Sequence, residues 1–220
     1  MQGVAVAEAA FQQALAYAGE RKQGKTPLGD GAIIDHADVR RMLAQMKAET
    51  FAARAIGLAC AVALDMARAT GDAAWAARAA LLTPIAKAYG TDVGNEVAYL
   101  GVQVHGGMGF IEETGAAQFS RDARVTAIYE GTNGIQAMDL VGRKMMDGGE
   151  AAFRLLGEVE AAAGAARATL PELSRDVWNA AEGLREGTEA LLAMAPNDRN
   201  AGAVAYLRAF ARVFGALYPP

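Results

Sequence analysis

The chain has 220 residues, 53% hydrophobic and 21% charged, enough for one sizeable core or one domain with an appendage, and unlike a disordered chain. Its 21 basic and 25 acidic residues leave a formal net charge of −4, so no electrostatic footprint for nucleic acid or an anionic membrane is present. A lone cysteine, Cys60, excludes an internal disulfide, and its small apolar neighbours fit a buried thiol in a reducing cytoplasm.

From Val4 the apolar positions Val4, Ala7, Phe11, Leu15 and Ala18 recur at helical steps, predicting a first helix that ends near Gly24. No Ser, Thr, Asp or Asn stands before Val4 to cap it, so the chain is expected to begin inside a helix, as a fragment would. Gly24, Pro27, Gly29 and Gly31 then predict a loop and a hairpin-like turn. The stripe from Val39 through Leu43, Met46, Ile56 and Cys60 to Ala67 predicts a helix of about nine turns that stops at Gly71-Asp72. Within it, the apolar run 55–64 is bounded by Arg54 and Asp65 and is shorter than the roughly 20 residues that cross a bilayer, so core is expected and no membrane span. Nothing at the N-terminus reads as a secretion signal.

A third stripe, from Trp75 through Leu82, Tyr89, Val93 and Val97 to Val104, predicts a second long helix running back antiparallel, with Pro84 kinking or locally opening it. Two long, alanine-rich helices joined by so short a turn predict an all-α, antiparallel up-and-down bundle. Regularity stops at Gly106-Gly107-Met108-Gly109. A short amphipathic helix is expected over 112–125 and another from about Thr132 to Met146, with Asn133 and Gln136 spaced as a capping box. Beyond Gly148-Gly149 an Ala- and Glu-rich tail predicts further helices, broken at Pro171 and near Pro196.

Few residues offer chemistry. His36 and His105 are the only histidines, and neither forms the Glu-x-x-His pairing of di-iron bundles, so no metal site is expected. Neither a Gly-x-Ser-x-Gly elbow nor a Walker-type loop occurs. Gly106-Gly107 can bring backbone N–H groups close to a phosphate, or can simply make a sharp turn between packed helices. Glu130 projects from a break between helices, where burial near an apolar ligand would suit it as a general base, although local context alone favours a surface or cap-associated glutamate. Arg121, Asp122 and Arg124 read as an ion-paired helix surface.

The order of these pieces is more specific than any one of them. Gln103-Val-His-Gly-Gly-Met-Gly-Phe110, Arg121-Asp-Ala-Arg124 and Ile128-Tyr-Glu-Gly-Thr-Asn-Gly-Ile-Gln136 together resemble the C-terminal signature of the acyl-CoA dehydrogenase family. Upstream, Tyr17-Ala-Gly-Glu-Arg-Lys-Gln23 resembles that family's arginine-containing segment, so the likeness covers about residues 2–146. The segment His36-Ala-Asp-Val-Arg-Arg-Met-Leu43 and a tail with Pro196-Asn-Asp-Arg and Tyr206-Leu-Arg resemble the longer bacterial subgroup that includes 3-methylmercaptopropionyl-CoA dehydrogenase-like proteins.

The resemblance implies that Glu130 removes the α-proton of an acyl-CoA thioester while the β-hydrogen leaves as hydride to FAD, and that the Glu130 amide polarises the thioester carbonyl, with Gly131 beside the substrate. It implies FAD contacts for Arg21, Gln103, Gly106, Gly107 and Thr132, and weaker ones for Gln23 and Gln136. It also implies a homodimer or tetramer and an electron acceptor such as an electron-transfer flavoprotein, beside the cytoplasmic location that the lone cysteine suggests. Two departures stand out: Gln23 runs directly into Gly24 without the usual phenylalanine, and Ala37 replaces a glutamine at an adenine contact. The expected organisation is a C-terminal helical domain over 1–147 and a helical extension over 148–220. Family enzymes place two further domains before this region, so the isolated chain is expected to be an inactive fragment. The competing reading is a non-catalytic helical oligomerisation or scaffold domain that has kept the bundle and lost its chemistry.

Overall fold

The computed structural model describes residues 1–26 and 29–218. Pro27 of the expected glycine-rich loop and the terminal Pro219-Pro220 lie outside the described residues. Every regular element among them is helical; the single β-like feature is an isolated antiparallel bridge between Lys22 and Ala32. The elements are α1 (Gln2–Glu20), α2 (Ala37–Thr70), α3 (Ala73–His105), α4 (Gly107–Phe110), α5 (Ala116–Thr126), α6 (Asn133–Asp139), α7 (Glu150–Ala166), α8 (Pro171–Ala193) and α9 (Pro196–Gly215).

The two long helices are joined as their sequence dictates. Gly71 ends α2 in a left-handed conformation (φ 69°), its N–H donating to Ala67 O, and Asp72 Oδ1 accepts the Ala74 N–H at the start of α3. Pro84 stands inside α3, which continues through it as one helix. Helix α2 is long and apolar enough, by length and composition, to cross a membrane. Arg54 and Asp65 bound its apolar run without making the helix polar, and the core helix of a globular protein has the same length and composition.

Contacts divide the described residues into two compact units, the first of residues 1–51 and 90–129, the second of residues 52–89 and 130–218. In the first, α1 crosses α3 at glycines: a Cβ on Gly3 would lie 2.3 Å from Gly90 O, and one on Gly94 2.8 Å from Gly3 O. Backbones in such contact leave no room for a side chain. Val4, Ala7, Phe11 and Ala18 of the predicted stripe are buried along α1, joined by Ala10 and Ala14, which the stripe did not include; Leu15 is exposed. On α2 and α3, Met46 Cε lies 3.8 Å from the Cβ position of Gly101.

In the second unit Cys60 Sγ on α2 is 3.7 Å from Thr83 Oγ1 on α3. Its core is built on Leu140, Leu155, Leu156, Val159, Phe210 and Phe214. Pro171 and Pro196 each stand in the first turn of a helix, where the missing N–H costs nothing, so both open helices in the tail. Two expectations need correction. The 112–125 segment is a 3-10 turn over Glu112–Thr114, a left-handed Gly115 and then α5, because Gly115 breaks the period. The capping residue of α6 is Thr132, whose Oγ1 accepts the Ile135 N–H at 3.3 Å; Asn133 is the first residue of the helix and its side chain bonds elsewhere.

Candidate functional site

The glycine loop follows α3 directly. Gly106 has φ 60° and ψ −136°, a backbone region that excludes side chains, and its N–H donates to Gln103 O at 3.1 Å. Cβ atoms built on Gly106 and Gly107 would meet nothing within 4 Å, so both faces of the pair open onto free space. A Cβ on Gly109 would lie 2.3 Å from Val102 O, and that glycine is there to let the loop fold back on α3.

Facing the loop is the segment after α1. Ile33 N–H donates to Arg21 O (2.8 Å) and Gln23 N–H to Gly31 O (3.2 Å), closing the hairpin-like turn, and Lys22 pairs with Asp30 at 2.6 Å. That ammonium holds the Asp30 carboxyl below its ordinary pKa, chiefly through the hydrogen bond. Arg21 Nη2 donates to Gln23 Oε1 (2.8 Å), and His36 Nε2, facing a carbonyl, donates to Gln23 O (2.9 Å). Arg21, Gln23, His36, His105, Gly106 and Gly107 line one groove of about 530 Å³. Its floor is a stacked pair, Tyr17 on His105 at 4.3 Å, with His105 Nδ1 donating to Gly101 O at 2.7 Å. A cationic guanidinium opposite side-chain-free backbone suits a phosphate-bearing ligand. Gln103 is exposed on the last turn of α3 and reaches the loop through its carbonyl.

The other predicted residues gather in the second unit. Glu130 has φ 54° and is the one described non-glycine residue with positive φ; Gly131 follows at φ 80°. For an L-residue this conformation costs roughly 1–2 kcal/mol. The Glu130 side chain is exposed, and among the described residues no hydrogen bond or ion pair engages its carboxylate. Gln136 Nε2 donates to Glu130 O at 3.1 Å, and Thr132 caps α6. Lys87 and Asn133 also bond to this junction.

The structure thus brings Arg21, Gln23, Gly106 and Gly107 together in one unit and Glu130, Gly131, Thr132 and Gln136 in the other. Sequence reasoning did not single out Tyr17, His36 or His105 as groove residues. Tyr17 carried a signal, since it lies four positions before Arg21 and so on the same helix face. Lys87 carried none: it borders the apolar stripe of α3 and meets residues more than 40 positions later. Among the described residues no group of three or more His, Cys, Asp or Glu side chains is assembled as a metal site.

The family model described as Acyl-CoA dehydrogenase, C-terminal domain, matches residues 1–146. The chain belongs to the acyl-CoA dehydrogenase family. It is 44% identical to the 3-methylmercaptopropionyl-CoA dehydrogenase of Ruegeria pomeroyi over 94% of this chain, which is 38% of that relative's length. Two solved structures share the fold. One is Caenorhabditis elegans ACDH-11 in complex with C11-CoA, with a TM-score of 0.80 and 21% identity, covering 98% of this chain and 37% of that one. The other is an acyl-CoA dehydrogenase complexed with FAD from Bacillus anthracis, with a TM-score of 0.74 and 22% identity, covering 97% of this chain and 39% of that one. The chain therefore spans about two fifths of the length of these relatives.

Proposed function

We propose that this chain is the C-terminal region of an FAD-dependent acyl-CoA dehydrogenase and that Glu130 is its base. The observation that carries the reading is the Glu130 backbone. A free carboxylate held in a left-handed conformation beside a left-handed glycine is strain of the kind found at functional sites, here in a chain of dehydrogenase ancestry.

In the reaction, a Glu130 carboxylate oxygen takes the α-proton of the acyl-CoA thioester. FAD, when bound, supplies the acceptor for the β-hydride. Loss of the proton and the hydride leaves a Cα–Cβ double bond, and the Glu130 N–H donates to the thioester carbonyl, favouring enolate character as charge develops there. Gly106 and Gly107 fit a dinucleotide phosphate, because the space their missing side chains would fill is open and Arg21 stands across the groove. Thr132, Gln136, Gln23 and Gln103 are assigned to the same cofactor. A homodimer or tetramer, a cytoplasmic setting, an organisation into 1–147 and 148–220, and electron transfer to a flavoprotein acceptor belong to the same proposal.

The test is a pair of variants in the full-length protein. Glu130→Gln is expected to keep the bound flavin yellow while abolishing its bleaching by acyl-CoA. Gly107→Ala is expected to leave folding stability within about 0.5 kcal/mol of the parent and to weaken FAD binding. Normal bleaching in Glu130→Gln would reject the base. A full-length protein that takes up no FAD at all would favour the scaffold reading.

A further inference from the structure

We propose that Lys87 is a positioning residue for Glu130, fixing the backbone that aims the base; this rests on the reading of Glu130 given above. The two carbonyls that follow the base are both tied down. Glu130 O accepts from Gln136 Nε2 at 3.1 Å, and Gly131 O accepts from Lys87 Nζ at 2.8 Å. The same ammonium donates to Asn133 Oδ1 at 2.8 Å, and Asn133 Nδ2 donates in turn to Ala88 O at 3.2 Å, one residue along α3 from the lysine. Lysine, asparagine and the α3 backbone thus form a closed ring of bonds across the start of α6.

The ring matters because of what it holds. Positive φ at a non-glycine residue persists only where the surroundings over-determine it. Gln136 belongs to the short helix that the junction itself begins, so it moves with the junction. Lys87 is different: it projects from a 33-residue helix and transmits that helix's rigidity to the loop. A charged donor also makes the stronger bond to a peptide carbonyl. Without the ammonium, Glu130 and Gly131 are free to turn toward right-handed dihedrals, which swings the carboxylate away from its place. Since a misplacement of about 1 Å can cost roughly 100-fold in rate, the lysine controls the chemical step without touching substrate.

Two measurements test this. The first is flavin bleaching at saturating acyl-CoA in the full-length, flavin-loaded protein. Lys87→Met is expected to lower the limiting rate about 10–100-fold while moving the half-saturating acyl-CoA concentration by less than about threefold. Lys87→Arg, which can still donate to both acceptors, is expected to recover most of the rate. The second measurement uses this chain and requires no cofactor: NMR backbone shifts are expected to show Glu130 leaving the positive-φ region in Lys87→Met and keeping it in Lys87→Arg. If Lys87→Met does not fold, Asn133→Ala, which removes one acceptor of the same ammonium, is expected to show the same changes at smaller size.

A wild-type limiting rate in a folded Lys87→Met, a change in half-saturation alone, or an unmoved Glu130 φ would each overturn the proposal. Its failure is separable from failure of the base assignment. Normal bleaching in Glu130→Gln removes the base, whereas the dihedral still reports whether Lys87 holds the junction.

Discussion

Replacing Glu130 by glycine should stabilise this chain. A non-glycine residue at φ 54° costs roughly 1–2 kcal/mol relative to right-handed backbone. Glycine adopts that conformation freely, but its more flexible unfolded state returns about 0.4–1 kcal/mol of the gain. The exposed Glu130 side chain makes no bond within the described residues, so nothing else is lost. The mid-range difference is a net gain of about 0.8 kcal/mol, or roughly 2–3 °C in melting temperature for a chain of this size. At the next residue the sign reverses. Gly131 has φ 80°, and a Cβ there would lie 3.1 Å from Gln136 Nε2, so Gly131→Ala should cost about 1–2 kcal/mol. Urea unfolding followed by tryptophan fluorescence suits the measurement, because Trp75 and Trp178 both lie in the unit that contains Glu130. A lower midpoint for Glu130→Gly, by the half to one kcal/mol typical of glycine in ordinary structure, would refute the strain on which the site assignment leans. A gain accompanied by loss of flavin bleaching would identify a residue retained against stability.

Gly3→Ala is expected to destabilise by about 1–3 kcal/mol, because the added Cβ would sit 2.3 Å from Gly90 O and 2.7 Å from Thr91 Cα, and backbone cannot step aside. Gly19→Ala is the control on the same helix: its Cβ meets nothing, and circular dichroism melting should show up to about 1 kcal/mol of stabilisation. The Tyr206 phenol donates to or accepts from Thr188 Oγ1 at 2.9 Å, and its burial pushes its pKa up to about 12. The folded state therefore keeps a proton that the unfolded state loses near pH 10. Stability from this group is complete below about pH 10 and falls by roughly 2–3 kcal/mol as pH rises through 12. Tyr206→Phe should flatten that alkaline limb in unfolding curves taken from pH 9 to 12, at a cost of about 1 kcal/mol at neutral pH for the lost bond.

Much of the architecture follows from local chemistry. The steps of three and four along α1, α2 and α3, the stop at Gly71-Asp72 and the prolines that open α8 and α9 are all decided within a turn or two of chain, which is why they could be read in the sequence. Short segments were less legible. Gly115 split a predicted helix because its left-handed backbone breaks the period, and Thr132 took the cap expected of Asn133 because its Oγ1 meets the Ile135 N–H. Arg21, Gln23, Gly106 and Gly107 were named from sequence order and resemblance, and folding brought them to one groove. Tyr17, His36 and His105 joined that groove only through packing.

The division has a physical basis. Helix period, caps and breakers are short-range properties, and the sequence alone determined an all-α chain with a glycine loop and a carboxylate at a helix junction. The positive φ of Glu130 was not legible in its neighbours, and the Lys87 ammonium that holds the next carbonyl from 44 residues away is a long-range bond that no local pattern encodes. Only the tertiary structure could place them together, because hydrogen bonds across that separation exist only once α3 and α6 have packed.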